Sequence, residues 1–124
     1  MGLDSYASRS AGDVVLTDDD VAAFAAADIE LCGGLYSGDG GSFRGKMYAE
    51  LILEVTGENI YEVWLPPDAV RRISDALATR TPEALAAISD ETSSRGTTAP
   101  SQMADLQRFF AICAERGLGL IGWS

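Results

Sequence analysis

The sequence predicts an α+β domain in which about five helices pack on a small two- or three-stranded sheet. Apolar residues recur at helical spacing in several stretches, short runs of β-branched and aromatic residues stand between them, and glycine or proline separates the two kinds of pattern. The 124 residues are 47% apolar, which is enough for one hydrophobic core. We therefore expect a single domain over residues 13–124. Residues 1–12 are small and polar, so we expect them to form a disordered lead.

Two helices are predicted in the first half of the chain. Residues 14–16 are a short strand candidate, and Thr17 then stands at the N-cap position of a helix over residues 18–32. Three aspartates occupy the first turn of that helix, where the exposed backbone amides favour negative charge. A second helix follows at residues 47–56, because apolar residues recur there at helical spacing and Gly57 supplies a stop.

The second half predicts three more helices between two strands. Residues 60–65 are rich in β-branched and aromatic residues and end at a proline pair, which is typical of a strand that leads into a helix start. The later elements are a third helix over 68–79, a fourth beginning near Pro82, an exposed loop over 91–100, a fifth helix over 101–116 and a final strand over 118–123.

Charge and composition limit the classes of function. The chain has 19 acidic and 9 basic residues and a net charge of −10, which disfavours binding to the phosphates of DNA or RNA. No apolar run is long enough for a membrane span, and the N-terminal residues lack the order of a signal peptide. Cys32 and Cys113 fall at core positions of helical patterns and are expected to be reduced thiols. We expect a cytoplasmic protein with no membrane or nucleic-acid partner.

The second half also carries a particular order of core and turn residues. The order runs through Leu65-Pro66-Pro67-Asp68, Val70, Ile73, Ala76-Leu77, Thr81-Pro82-Glu83, Leu85, Leu106, Phe109-Phe110 and residues 113–121. In these positions, residues 65–123 resemble the YfbM-like bacterial proteins of unknown function. The resemblance implies a small α+β cytoplasmic domain and brings no site residues with it. The first half departs from the family pattern through a glycine-rich insert at residues 37–46.

That glycine-rich segment is the first candidate binding site. It contains four glycines and the only lysine of the chain, and residues 40–46 have the spacing of a phosphate-binding loop. Met47 stands where such a loop needs a Ser or Thr to bind magnesium, so ATP chemistry is not expected. Backbone amides and two cations before a helix still suit an anion, and a plain connecting loop is the alternative. The candidate ligand-binding residues are Ser37, Gly40, Gly41, Ser42, Arg44 and Lys46.

Histidine is absent from the sequence, which removes the commonest general base and the commonest transition-metal ligand. Mechanisms that pair Ser or Cys with His are therefore excluded within one chain. Cys32 or Cys113 could act as a redox thiol only if its pKa were lowered, and a core position is favoured for both. We predict no catalytic residues, no metal site and no cofactor.

Glu50, Glu54 and Glu58 are spaced by four, which places them along one side of the second helix and its exit. Such a row is typical of a solvated helix face, or it can meet a basic partner. Large aromatic residues at Tyr48, Tyr61, Trp64 and Trp123 are assigned to the core, with an interface as the alternative.

Together, these features predict a small, acidic, non-enzymatic domain that binds a basic protein partner or a second copy of itself, as an accessory, immunity-like or inhibitor protein does. A self-association would bury Trp123 if the small sheet leaves an edge open. The alternative is a domain that binds an anionic or phosphorylated metabolite at residues 37–46.

Overall fold

Five helices and four strands make up the described part of the chain, which covers residues 4–13, 15–27, 42–44, 48–92 and 100–123 of this computed structural model. The elements in chain order are β1 (Asp4–Ser8), α1 (Asp18–Ala27), β2 (Ser42–Arg44), α2 (Ala49–Thr56), β3 (Trp64–Leu65), α3 (Pro67–Ala78), α4 (Pro82–Thr92), α5 (Pro100–Arg116) and β4 (Gly119–Trp123). The predicted α+β class is confirmed.

The sheet is antiparallel throughout, with strand order β2-β1-β4-β3. Its two central strands, β1 and β4, pair over five residues from Asp4↔Trp123 to Ser8↔Gly119. The outer strands are short, since β2 has three residues and β3 has two. The sheet therefore consists of a long central pair with a brief strand added at each edge.

The position of β1 corrects the prediction of a disordered lead over residues 1–12, which is wrong for residues 4–8. Small side chains such as Ser5, Ala7 and Ser8 give β1 no apolar alternation, yet all three are fully buried. The loop after β1 is also ordered by a local contact, because the Ser8 hydroxyl accepts the N–H groups of Ser10 (3.2 Å) and Val15 (2.9 Å). Tertiary pairing, and not local propensity, forms this strand.

The hydrophobic core lies between the sheet and the helices. Ala7 of β1 pairs with Leu120 of β4, and both belong to the core. The largest contributions come from one face each of α3 and α5, namely Val70, Ile73, Leu77, Met103, Leu106, Phe109, Phe110 and Cys113. Phe24 of α1 joins them, with its ring centroid 5.2 Å from that of Phe109. The helical apolar patterns of the sequence thus mark the core faces of α3 and α5, as predicted.

Glycines end two of the helices, and Gly57 stands at the predicted stop of α2. Gly57 follows α2 with a φ of 78° and donates its N–H to the Leu53 carbonyl at 2.9 Å. Gly117 follows α5 with a φ of 71°, and the next N–H, of Leu118, bonds to the Cys113 carbonyl at 2.8 Å. A positive φ is cheap only for glycine, so these residues fix where each helix stops.

Two predicted strands are shorter or absent. Residues 60–63 form turns and bends, and only Trp64–Leu65 of the predicted strand 60–65 is a strand, although the Val63 carbonyl accepts the Gly122 N–H of β4 at 3.1 Å. Asn59 explains the difference, because its side-chain oxygen accepts the Tyr61 N–H at 3.0 Å and its carbonyl accepts the Glu62 N–H at 3.2 Å. Such a local turn competes with strand pairing. In the predicted strand 14–16, residues 15 and 16 are not in a strand and Val14 lies outside the described residues.

The predicted loop over residues 91–100 is shortened at both ends. Helix α4 continues to Thr92 and α5 begins at Pro100, where proline suits the first helical turn. Residues 93–99 lie outside the described residues.

Gly119 is the first residue of β4 and lies close to the neighbouring strand β3. A Cβ atom at this position would collide with the Trp64 ring and would lie 2.5 Å from the Leu65 carbonyl oxygen. The close approach of these two strands therefore requires a residue without a side chain.

We predict that Gly119→Ala lowers the free energy of unfolding by about 2–3 kcal/mol, because the added methyl group forces Trp64 or the β3 backbone to move. Gly57→Ala is the control, since it meets nothing within 4 Å and costs only the strain of a positive φ, about 1 kcal/mol. Urea unfolding monitored by tryptophan fluorescence measures both. Equal losses in the two variants would contradict the packing at Gly119.

Candidate functional site

The solvent-facing side of α2 combines acidic and apolar side chains. Glu50, Leu53 and Glu54 are exposed, at the i, i+3 and i+4 positions that share one helix face, whereas Leu51 and Ile52 are buried on the other side. Leu53 keeps 51% of its surface exposed. An apolar side chain between two carboxylates on an exposed helix face is suited to contact another molecule.

Glu58, the third member of the predicted acidic row, has a structural partner instead. Its Oε1 accepts a hydrogen bond from Arg72 Nε at 2.9 Å, and its side chain is only 22% exposed. Its N–H bonds to the Thr56 hydroxyl at 3.0 Å. Glu58 therefore joins the exit of α2 to α3, and the partner-binding row that remains open is Glu50 and Glu54.

Two further apolar side chains lie exposed between α2 and β3. Tyr61 is 46% exposed and Val63 is 69% exposed. With Leu53, they are three of the four large apolar side chains that are exposed among the described residues, the other being Val15. The core assignment of Tyr61 is therefore wrong, while Tyr48 is buried as predicted. Among the described residues, most of the exposed large apolar side chains therefore lie between positions 53 and 63.

The glycine-rich candidate site is only partly described by the structure. Ser37, Gly40, Gly41 and Lys46 lie outside the described residues. Ser42 and Arg44 lie in β2, where they pair by register with Tyr6 and Asp4. The loop prediction is thus wrong for residues 42–44, which add an edge strand to β1. Anion binding by this segment stays a prediction.

A buried ionic cluster lies where β1, α1 and α5 meet. The Asp20 carboxylate is fully buried and accepts two hydrogen bonds from Arg9, from Nε at 2.6 Å and from Nη2 at 2.7 Å. Arg116 Nε donates to it at 2.6 Å, and the Thr17 N–H at 2.9 Å. Four donors therefore satisfy the four lone-pair positions of this carboxylate.

These contacts hold the pKa of Asp20 well below its usual range. The hydrogen bonds from Arg9 make the largest contribution, burial opposes it, and the bonds from Arg116 and Thr17 lower the pKa further. The Asp20 carboxylate in turn raises the pKa of Arg9. A carboxylate that stays ionised and has no free lone pair is unsuited to proton transfer, so Asp20 serves the structure.

The sequence indicates the contact between Thr17 and Asp20 in this cluster but not the two arginines. Thr17 was predicted as a helix N-cap, and its hydroxyl does accept the Asp20 N–H at 3.1 Å. The position of Asp20 in the first turn predicts only a favourable charge beside the exposed backbone amides. Its arginine partners lie 11 and 96 residues away along the chain, so no local pattern in the sequence could reveal them.

Cys113 is buried in the core and has a free thiol. Burial raises the pKa of this thiol, and the nearby charge of Asp20 raises it further. A thiol in this state is a poor nucleophile, and the full burial of Cys113 confirms its predicted core position. Cys32 lies outside the described residues. Across the described ranges, no group of three acidic or sulfur ligands is arranged to hold a metal ion.

No family model, no curated protein and no solved structure matches this chain. The resemblance of residues 65–123 to the YfbM-like proteins therefore stays a prediction. In the part of the chain that the structure describes, no helix has the length and apolar character that crossing a bilayer requires.

We predict that Asp20→Asn lowers the free energy of unfolding by about 2–3 kcal/mol at pH 7, because it leaves two guanidinium groups without their anionic acceptor. Asp19→Asn is the matched control, since Asp19 is exposed in the same helical turn and contributes a few tenths of a kcal/mol. Chemical denaturation at pH 7 compares the two. A loss for Asp20→Asn within about 0.5 kcal/mol of the control would contradict a central role for the cluster.

A pH series provides a separate prediction. The pKa of Asp20 is lowered in the folded state relative to the usual value of about 3.9, so protons bind the unfolded state first. The stability that Asp20 contributes is therefore fully present above pH ~4 and declines as the pH falls below it. The gap in unfolding free energy between the wild type and Asp20→Asn should be constant from about pH 5 to 7 and should narrow toward pH 3. A difference in unfolding free energy that increases as the pH falls would contradict a lowered pKa of Asp20 in the folded state.

Proposed function

We propose that this protein is a small non-enzymatic binding domain that engages a basic protein partner through the exposed face of α2. The observation that carries the proposal is the half-exposed Leu53 between Glu50 and Glu54 on that face. Exposed apolar area gives a partner a surface to bury, and the flanking carboxylates select for positive charge.

The charge of the whole chain supports the same partner chemistry. At a net charge of −10, the domain repels acidic proteins and attracts basic ones before contact. A basic amphipathic helix would place an apolar side chain against Leu53 and cations near the two glutamates. These properties suit an accessory, immunity-like or inhibitor protein.

The non-enzymatic part of the proposal has two supports. The sequence contains no histidine, and the one carboxylate whose pKa is strongly shifted, among the described residues, is saturated by hydrogen-bond donors. A cytoplasmic location belongs to the same proposal, supported by the free thiol of Cys113 in the core. Self-association is the other form of binding that the exposed apolar residues would allow.

The test uses a synthetic amphipathic helix of about 18 residues with lysines on one face and leucines on the other. We expect Glu50→Lys/Glu54→Lys to weaken binding of this peptide at least tenfold at about 0.15 M salt, because it reverses the charge beside Leu53. The control, Glu83→Lys/Glu91→Lys, makes the same change of net charge at exposed positions of α4 and should weaken binding less than about threefold. Fluorescence anisotropy of the labelled peptide gives both affinities.

If the α2 and the α4 double variants weaken peptide binding equally, the net charge of the protein and not the face of α2 attracts the peptide. That result would refute the proposed site. Leu53→Ser adds a second readout, since it keeps the charge and removes the apolar contact. The same samples in sedimentation velocity report whether the chain associates with itself.

A further inference from the structure

An open groove of about 490 Å³ lies between α3 and α5, and the proposed function does not use it. The side chains on its apolar part are small, namely Ala78, Ala104 and Ala111. Small residues at a helix crossing leave space above the contact, and this space is what forms the groove. It is large enough for a small molecule.

The walls of the groove are held in place by Gln107. Its Nε2 donates to the carbonyl oxygens of Leu77 and Arg80, each at 2.8 Å, at the C-terminal end of α3. The Leu77 carbonyl also accepts the Arg80 N–H at 3.2 Å, so Gln107 adds to the hydrogen bonding at the end of α3 and links α5 to it. A ligand would therefore meet a groove that is already formed.

Two arginines give the groove positive charge in an otherwise acidic protein. Arg108 donates to the Ala27 carbonyl at 2.9 Å and pairs with Asp105 at 3.2 Å, so its position is fixed and its charge is partly offset. Arg80 is exposed, and its guanidinium makes no hydrogen bond or ion pair to any described residue. The groove thus offers one fully available cation for a bound anion.

Ser74 adds a hydrogen-bond donor to the wall of the groove. Its side chain lines the groove although the residue is only 9% exposed. Within the described ranges its hydroxyl has no hydrogen-bond partner, even though a helical serine can bond to the carbonyl four residues earlier. Among the described residues the Ser74 hydroxyl is not one of the fully buried polar atoms without a partner, so it is open to the groove and available to donate to a bound molecule.

We propose that this groove binds a small carboxylate whose apolar body carries a hydrogen-bond acceptor. The carboxylate pairs with the guanidinium of Arg80, the body covers the three alanines, and the acceptor takes the proton of the Ser74 hydroxyl. A single negative charge fits best, because Asp105 offsets Arg108 and the whole chain carries −10. The groove does not include α2, so a test of ligand binding in the groove is independent of a test of the proposed function.

The probe is 4-acetylbenzoate, which carries a carboxylate and a carbonyl acceptor at opposite ends of a flat apolar ring. Titration followed by amide chemical shifts in ¹⁵N-labelled protein should show saturable changes around residues 74–80 and 104–111. A Kd on the order of 1 mM is expected for a ligand of this size. The amide 4-acetylbenzamide, which lacks the charge, should bind at least tenfold more weakly. 4-Isopropylbenzoate, which lacks the acceptor, should bind about threefold to tenfold more weakly.

Two variants assign the contacts. Arg80→Gln should weaken 4-acetylbenzoate at least tenfold, whereas Arg71→Gln, at an exposed position of α3 outside the groove lining, should leave it unchanged. Ser74→Ala should weaken 4-acetylbenzoate and leave 4-isopropylbenzoate unchanged, which a general loss of structure would not do. Absence of saturable shifts up to about 20 mM, equal effects of the two arginine variants, or equal binding of the amide would each overturn the proposal.

Discussion

The hydrogen bonds to the buried carboxylate of Asp20 hold the end of β1, the start of α1 and the end of α5 together. The carboxylate accepts hydrogen bonds from Arg9 just after β1, from Thr17 at the start of α1 and from Arg116 in the last turn of α5. Because β4 follows α5 after a short turn, the same contact places β4 beside β1. A buried charge is tolerated only when donors surround it, so alternative packings that separate these elements would leave it unpaired. A polar contact thus selects among arrangements that the apolar core alone would allow.

The sequence predicts helices well here and strands poorly, for one physical reason. Helical spacing in α3 and α5 records the face that each helix buries, and glycines at the ends mark the stops. Strand β1 contains only small and polar residues around Tyr6, so nothing local distinguishes it from a loop. Its pairing partners are β2 and β4, and β4 lies at the other end of the described chain. Pairing between strands so far apart in the sequence does not require an alternation of apolar and polar residues within the five residues of β1.

The candidate sites also differ in how far local sequence spacing determines them. Glu50 and Glu54 could be placed on a helix face from their spacing alone, whereas Glu58 meets Arg72 only because α3 packs beside the exit of α2. The α3–α5 groove depends entirely on a helix crossing, and no spacing in the sequence brings Ser74 and Arg80 to the same cavity as Ala111. The exposure of Leu53 likewise depends on which elements pack beside α2, and the sequence alone does not show this.

The pairing of β1 with β4 also bears on how the chain folds as it leaves the ribosome. β1 is made before the five helices of the described residues, and its neighbour on one side, β4, is made after them. Until β4 is made, the three-residue β2 is the one strand among the described residues with which β1 can pair, and Asp20 lacks its hydrogen bond from Arg116. Contacts of such long range slow the final step of folding. During synthesis, the nascent chain therefore carries an unfinished sheet edge that only the closing strand can cover.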